Sequence, residues 1–186
     1  MSRQIYLNRT REQFSLSRWE HTIRVVETAA ILAKRFGADT EKVDTAAILH
    51  DYCKFWTAES LIFAIKQYNL SPDLLLYNQE LWHGPVAAQV VQTEFGIDDQ
   101  EIIDAIYYHT TGRPQMSLVE KVVFLADYIE PARQFPGVDV VRRLAENQLD
   151  QAIALALRQT VEFLVSRNTQ VYPLTLDALA YYETDI

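Results

Sequence analysis

Thr45-Ala-Ala-Ile-Leu-His-Asp51 is the stretch on which the reading of this chain turns. Its first five residues make an apolar run suited to a buried helix, and the run ends on an imidazole and a carboxylate. A charge placed there is costly unless it is paired or bound to a metal ion. Successive helical residues point about 100° apart, so His50 and Asp51 reach one ion together only from a helix end or edge. A lone His-Asp pair is common and uninformative. Its meaning depends on the elements around it and on where the other histidines fall.

Upstream, Phe14, Trp19, Ile23, Val26, Ala30 and Ala33 recur at helical spacing, which predicts a helix from about Phe14 to Phe36 closed by Gly37. It carries His21, with Arg18 and Arg24 one turn to either side. Asp39 or Thr40 then caps the helix that delivers His50 and Asp51. Downstream, Thr57 opens a short helix to about Tyr68, and Ser71-Pro72 starts another. A segment from about Gln79 to Phe95 holds His83 beside the bend suggested by Gly84-Pro85.

Gly96-Ile-Asp-Asp99 resets the chain before a helix with Ile102, Ile103 and Ile106 on its apolar face, closing on His109-Thr-Thr-Gly112. Ser117-Leu-Val-Glu120 is a capping box. The helix it opens has an apolar interior, Val122-Val-Phe-Leu-Ala126, interrupted by Asp127 and stopped by Pro131. Pro136-Gly137 marks a turn, Asn147 caps a long amphipathic helix through Leu149, Ile153, Leu157, Val161 and Leu164, and Thr175 caps a last short one after Pro173.

With 186 residues and 49% hydrophobic content the chain can bury one substantial core, and no break demands a second domain, so residues 1–186 read as a single all-α helical bundle. Five Gly and six Pro are few, which suits helices better than many short strands. A net charge of -8 argues against nucleic acid as a partner, since that binding needs clustered Lys and Arg. An anionic small molecule stays open, because a bound cation reverses the field around it. The single Cys53 excludes an internal disulfide and a cysteine zinc cage and fits a reducing compartment. The first eleven residues lack the apolar core of a signal peptide, and no apolar run approaches membrane-spanning length. A cytoplasmic protein without membrane contact is expected.

The four histidines, His21, His50, His83 and His109, each lie on or at the end of a separate expected helix. For any one of them an imidazole with an ordinary hydrogen-bond partner is the simpler reading. Together, with Asp51 beside His50 and Asp127 embedded in an apolar helix, they read as a ligand set. Mixed imidazole and carboxylate donors suit iron, manganese, cobalt or zinc, and one carboxylate can bridge two ions.

The order His21, His50-Asp51, His83, His109, Asp127 resembles the metal signature of the HD-domain phosphohydrolase superfamily in its two-metal form. Asp51-Tyr-Cys-Lys54, His109-Thr-Thr-Gly112, Ala126-Asp-Tyr-Ile-Glu-Pro131 with Arg133, and Phe135-Pro-Gly-Val138 are similar, more narrowly, to the bacterial YqeK-type symmetrical bis(5'-nucleosyl)-tetraphosphatases, from about Arg18 to Pro173. That resemblance implies a helical bundle of the HD-domain type holding two divalent or mixed-valence metal ions, iron first, with manganese, cobalt or zinc as alternatives. It implies cleavage of diadenosine tetraphosphate into two ADP by a metal-bridging hydroxide that attacks phosphorus. His21, His50, Asp51 and Asp127 would hold the first ion, and Asp51, as the bridge, with His83 and His109 the second. Two ions roughly 3.5–4 Å apart lower the pKa of a shared water and stabilise the phosphoryl oxygens.

The same resemblance gives roles to further residues. Asp51 and Lys54 become the catalytic pair: if the helix continues, Lys54 projects on the face of Asp51 and meets a phosphate or leaving oxygen, the alternative being a solvated surface lysine. Arg18 and Arg133 are placed to clamp phosphate as guanidinium forks. Thr110, Thr111 and Gly112 offer hydroxyls and backbone donors, or simply end a helix. Gln170, Tyr172 and Thr175 are brought near the nucleotide. Arg24 is as readily a surface charge, and Cys53 a small buried apolar residue. The pairs Tyr107-Tyr108 and Tyr181-Tyr182 suit a core or an interface, and with Trp56 and Trp82 they could supply a homodimer contact.

The expected partner is thus a small dinucleoside polyphosphate, with ADP or GDP as the product ligand. Two further readings stay open: an HD enzyme for another nucleotide phosphoester, and a metal- and nucleotide-binding sensor that catalyses nothing.

Overall fold

Ser15, Asp39, Thr57, Asp99 and Ser117 each accept a hydrogen bond from a backbone N–H in the turn that follows, and a helix begins after each of them. Each such cap satisfies an N–H that has no partner within the helix and contributes about 1 kcal/mol. Ser117 and Glu120 form the reciprocal box expected of their spacing. The computed structural model describes residues 2–184. In it the helices run in the order α1 (Arg3–Gln13), α2 (Leu16–Phe36), α3 (Thr40–Leu49), α4 (Ala58–Gln67), α5 (His83–Phe95), α6 (Gln100–Tyr108), α7 (Leu118–Ile129), α8 (Val138–Leu144), α9 (Leu149–Ser166) and α10 (Pro173–Thr184). Two 3-10 turns, Pro72–Leu76 and Gln79–Leu81, link α4 to α5. No strand occurs among the described residues, so the fold is all-α, as the apolar periodicity predicts.

The core sits where α2, α3, α6 and α7 meet: α2 packs on α3 and α7, and α6 on α3, α5 and α7. Ala46, Ala47, Ile48 and Leu49 are entirely buried, which bears out the reading of Thr45–Leu49 as an interior helix. Ala105 on α6 and Ala126 on α7 are buried as completely. Burial of each larger apolar side chain, such as Ile106 or Leu125, contributes roughly 1.5–3 kcal/mol. Beyond them α9 packs on α7, α8 and α10.

Several expectations are corrected. The first helix, α1, had no apolar stripe to announce it; it buries only Tyr6 and Thr10 and is fastened by an Arg3–Asp44 ion pair of 2.7 Å and the edge of Tyr6 on Phe95. Phe14 lies between α1 and α2 and not inside the latter. Gln148, not Asn147, precedes α9. Helix α10 starts at Pro173, and Thr175 is buried inside its first turn, so it is no cap. Trp82 is buried with its Nε1–H donating to Leu74 O at 2.7 Å, and Tyr182 is fully buried with its hydroxyl accepting from Met116 N–H at 3.0 Å. Both are therefore core residues and not interface aromatics. No helix among the described residues is long and apolar enough to cross a membrane.

Candidate metal centre

Helix α3 ends at Leu49, and the chain then turns through i to i+3 bonds, Tyr52 N–H to Leu49 O at 3.0 Å and Lys54 N–H to Asp51 O. This places His50 and Asp51 at a buried helix end, the position from which adjacent residues can serve one cluster. Lys54 consequently follows a turn and not a continued helix, contrary to the condition attached to its expected placement.

The carboxylate of Asp51 is buried and its two oxygens face opposite pairs of imidazoles. Oδ2 lies 3.0 Å from His50 Nε2 and 3.8 Å from His21 Nε2. Oδ1 lies 3.1 Å from His83 Nε2 and 3.8 Å from His109 Nε2. Asp127 completes the first group, its Oδ1 being 3.1 Å from His21 Nε2. All six expected ligands thus converge from the ends or flanks of α2, α3, α5, α6 and α7. Asp127, one-fifth exposed, points into the cluster.

The imidazoles are held by their outer nitrogens. His50 Nδ1 sits 2.7 Å from Ala47 O, and His109 Nδ1 sits 2.8 Å from Ile106 O. An N–H on Nδ1 leaves the lone pair of Nε2 directed inward. His21 Nδ1 is 3.2 Å from Glu130 Oε1, the same arrangement with a carboxylate. His21 Nε2 and His50 Nε2 are buried without a hydrogen-bond partner, and beside them Asp51 Oδ2 has the Arg18 guanidinium as its cationic neighbour. Unpaired buried acceptors are costly, and a shared cation would satisfy both. His83 Nε2 and His109 Nε2 approach to 3.0 Å while both face Asp51 Oδ1. The donor set therefore fits metal, with His21, His50 and Asp127 forming one group and His50, Asp51 and His109 another.

The clustered groups shift one another: burial pushes His50 down, but Asp51 and Asp127 outweigh it and raise the imidazole above its usual value. Burial pushes the Asp51 carboxyl up, but the imidazoles of His50 and His83 outweigh it and hold the group well below the carboxylate range. Asp127 is likewise held down against burial by His21, His50 and Arg133. Burial, reinforced by the neighbouring His83 and His50, pushes His109 down to about 3, so at neutral pH it is a neutral donor.

Around the cluster, Arg18 touches Asp51 Oδ2, and Arg133 donates to Asp127 Oδ1 at 2.7 Å and to its carbonyl at 3.0 Å. Both expected clamps therefore stand beside the ligands. Thr110 Oγ1 is 3.1 Å from His109 Nε2, whereas the buried Thr111 donates to Gly112 O at 2.9 Å. Gly112 faces the core: its φ is +63°, and an added Cβ would meet Leu157 at 3.3 Å. Lys54 Nζ lies 2.5 Å from Glu80 Oε2. Tyr172 packs its ring edgewise on Tyr77, 5.0 Å between centroids, while Gln170 is exposed and Thr175 buried. Cys53 is buried and its thiol is pushed up by burial, which leaves it inert.

Two residues escaped the sequence reading. Glu130 is buried between His21 and Arg24, whose Nε donates to Glu130 Oε2 at 2.7 Å, so Arg24 is not a free surface charge. An acid directly before a helix-stopping proline was the only local hint of Glu130. Glu80, the partner of Lys54, had no local signal at all.

The HD domain family matches residues 18–132, which span the expected ligands from His21 to Asp127. Over 94% of both chains the protein is 49% identical to a symmetrical bis(5'-nucleosyl)-tetraphosphatase of Bacillus subtilis. It is 46% identical to the Staphylococcus aureus protein of that name, over 92% of this chain and 90% of the other. A crystal structure of an HD superfamily hydrolase from Clostridium acetobutylicum, 32% identical, superposes with a TM-score of 0.94 over 100% of this chain and 99% of that one. Ligand order, fold and similarity agree: this chain belongs to the HD domain family and, within it, to the family of the bacterial symmetrical bis(5'-nucleosyl)-tetraphosphatases.

Proposed function

We propose that this protein hydrolyses diadenosine tetraphosphate at the middle of its phosphate chain to give two ADP. The observation that carries the reading is the division of the Asp51 oxygens between two imidazole pairs, the geometry a carboxylate needs to bridge two cations. The relatives described above bear the name of that activity. His21, His50, Asp51 and Asp127 would hold one ion, and Asp51, His83 and His109 the other, iron being our first choice of metal. When bound, such a pair polarises phosphoryl oxygens and lowers the pKa of a shared water.

The chain's own residues supply the rest. Arg18 and Arg133 stand against Asp51 and Asp127, so a phosphate chain laid over the ligands meets two guanidinium groups. Lys54, from the turn after Asp51, neutralises the oxygen on which ADP leaves. In a chain of net charge -8 these cations are gathered at one mouth, which draws a polyanion there. Thr110 offers a hydroxyl beside His109, and Thr111 serves the turn that presents it. Gln170, Tyr172 and Thr175 would serve the nucleoside, with the edge-to-face Tyr77–Tyr172 pair as the aromatic surface offered to a base. We assign the whole site to one HD unit, working in the cytoplasm on a small dinucleoside polyphosphate and releasing ADP or GDP, with no nucleic acid or membrane partner. A homodimer would have to form without the buried Trp82 and Tyr182.

The test is product analysis. Metal-free protein is reconstituted anaerobically with iron or manganese and given diadenosine tetraphosphate. ADP as the only nucleotide product is expected. AMP with ATP, or metal and nucleotide binding without turnover, would overturn the assignment.

A further inference from the structure

Arg142, on α8, contacts none of the six ligands, yet its guanidinium gathers the backbone that stands behind two of them. Its Nε donates to Ile129 O at 3.0 Å, and its Nη2 donates to Glu130 O at 2.8 Å and to Arg133 O at 2.9 Å. Helix α7 ends at Ile129 and Pro131 forbids its continuation, so carbonyls at this end lack helical partners. A cation is also favoured at a helix C-terminus.

The backbone so gathered carries the two side chains that aim the ligands. Glu130 accepts from His21 Nδ1, with Arg24 and the Ala132 N–H, at 2.8 Å, fixing its other oxygen. Arg133 holds Asp127. The far end of the loop has separate anchors, the Phe135 ring against Tyr128 and the Gln159 amide on Gly137 O. Loss of Arg142 therefore loosens residues 129–133 without detaching the loop. The other half of the centre is fastened elsewhere, His109 to Ile106 O on α6.

We infer that Arg142 is a positioning residue for the half of the centre formed by His21 and Asp127, acting through Glu130 and Arg133. This rests on the metal-centre reading. Lysine is a poor substitute there, because its point charge cannot span three carbonyls as a planar fork does.

The test is a calorimetric titration of the metal-free full chain with manganese, read as binding and not as activity. Wild type is expected to give two classes of site, and His21→Ala identifies the class containing His21. Arg142→Ala should weaken that class by about tenfold to a hundredfold, the usual effect of removing support behind a ligand, and spare the other. Arg142→Lys should recover only part of the loss. Glu130→Gln should weaken the same class, and the double variant should lose less than the sum of the two singles; Glu130→Gln alone also tests the route if Arg142→Ala does not fold. Equal weakening of both classes, or two classes indifferent to Arg142 and Glu130, overturns the inference alone. Absence of metal binding by wild type overturns the metal centre and this inference with it.

Discussion

Lys54 Nζ and Glu80 Oε2 lie 2.5 Å apart, so the lysine that follows Asp51 is held by a carboxylate from the turn just before His83. Glu80 is 69% exposed while Lys54 is only 20% exposed, so the acid is the partner free to leave. Lys54 also holds the Glu80 carboxyl below its usual pKa. An incoming phosphate would compete with Glu80 for the same ammonium. Glu80→Gln should lower the KM for diadenosine tetraphosphate by about two- to fivefold at low salt, the range of an exposed ion pair, and by less at high salt. Steady-state kinetics at two ionic strengths check this; an unchanged or raised KM would count against competition.

Asp51→Ala should abolish turnover and deplete both ions while the helical circular-dichroism signal persists. The side chain faces imidazoles on both sides but supports no helix cap. Metal analysis beside the activity assay decides the matter. An active variant with full metal content would remove Asp51 from its bridging place.

Gly112→Ala should cost about 1–2 kcal/mol of stability, from the left-handed backbone at φ +63° and the contact with Leu157. Urea unfolding monitored by fluorescence gives the value. Because Gly112 faces the core, the remaining folded enzyme should keep its KM. A change in KM without a change in stability would restore the glycine to the nucleotide site.

Asp99→Ala should destabilise by about 1 kcal/mol at neutral pH, since Asp99 caps α6 and pairs with Lys42 at 2.9 Å. The hydrogen bond from Lys42 is the main reason its carboxyl lies below the usual value. A depressed carboxyl contributes its full stability above the unfolded pKa, near 3.9, and loses it as pH falls through the folded one. The gap between wild type and variant should therefore close on acidification below about pH 4. Denaturation midpoints from pH 7 down to 3 follow it.

Much of the architecture was legible because it is locally encoded. Asp39, Thr57 and Ser117 cap the turns directly after them, and the apolar run 45–49 suits an interior helix. That the four histidines, Asp51 and Asp127 come together was legible, since histidines are few and Asp127 interrupts an otherwise apolar helix. What stayed hidden depends on distant partners. Helix α1 is held by Asp44 and Phe95 more than by its own pattern. Glu130 meets His21 across 109 positions of sequence, and Arg142 acts on carbonyls, which no side-chain motif records. Thr175 resembled a cap because threonine often is one, but Pro173 already starts the helix and tertiary packing buries the hydroxyl.

The bonds from His50 to Ala47 O and from His109 to Ile106 O each stay within a single turn of backbone. The tautomer of both rings is thus decided by the same helix ends that deliver them, before any ion arrives. Capture of a cation should then demand little rearrangement, and the entropy of gathering the donors is spent during folding.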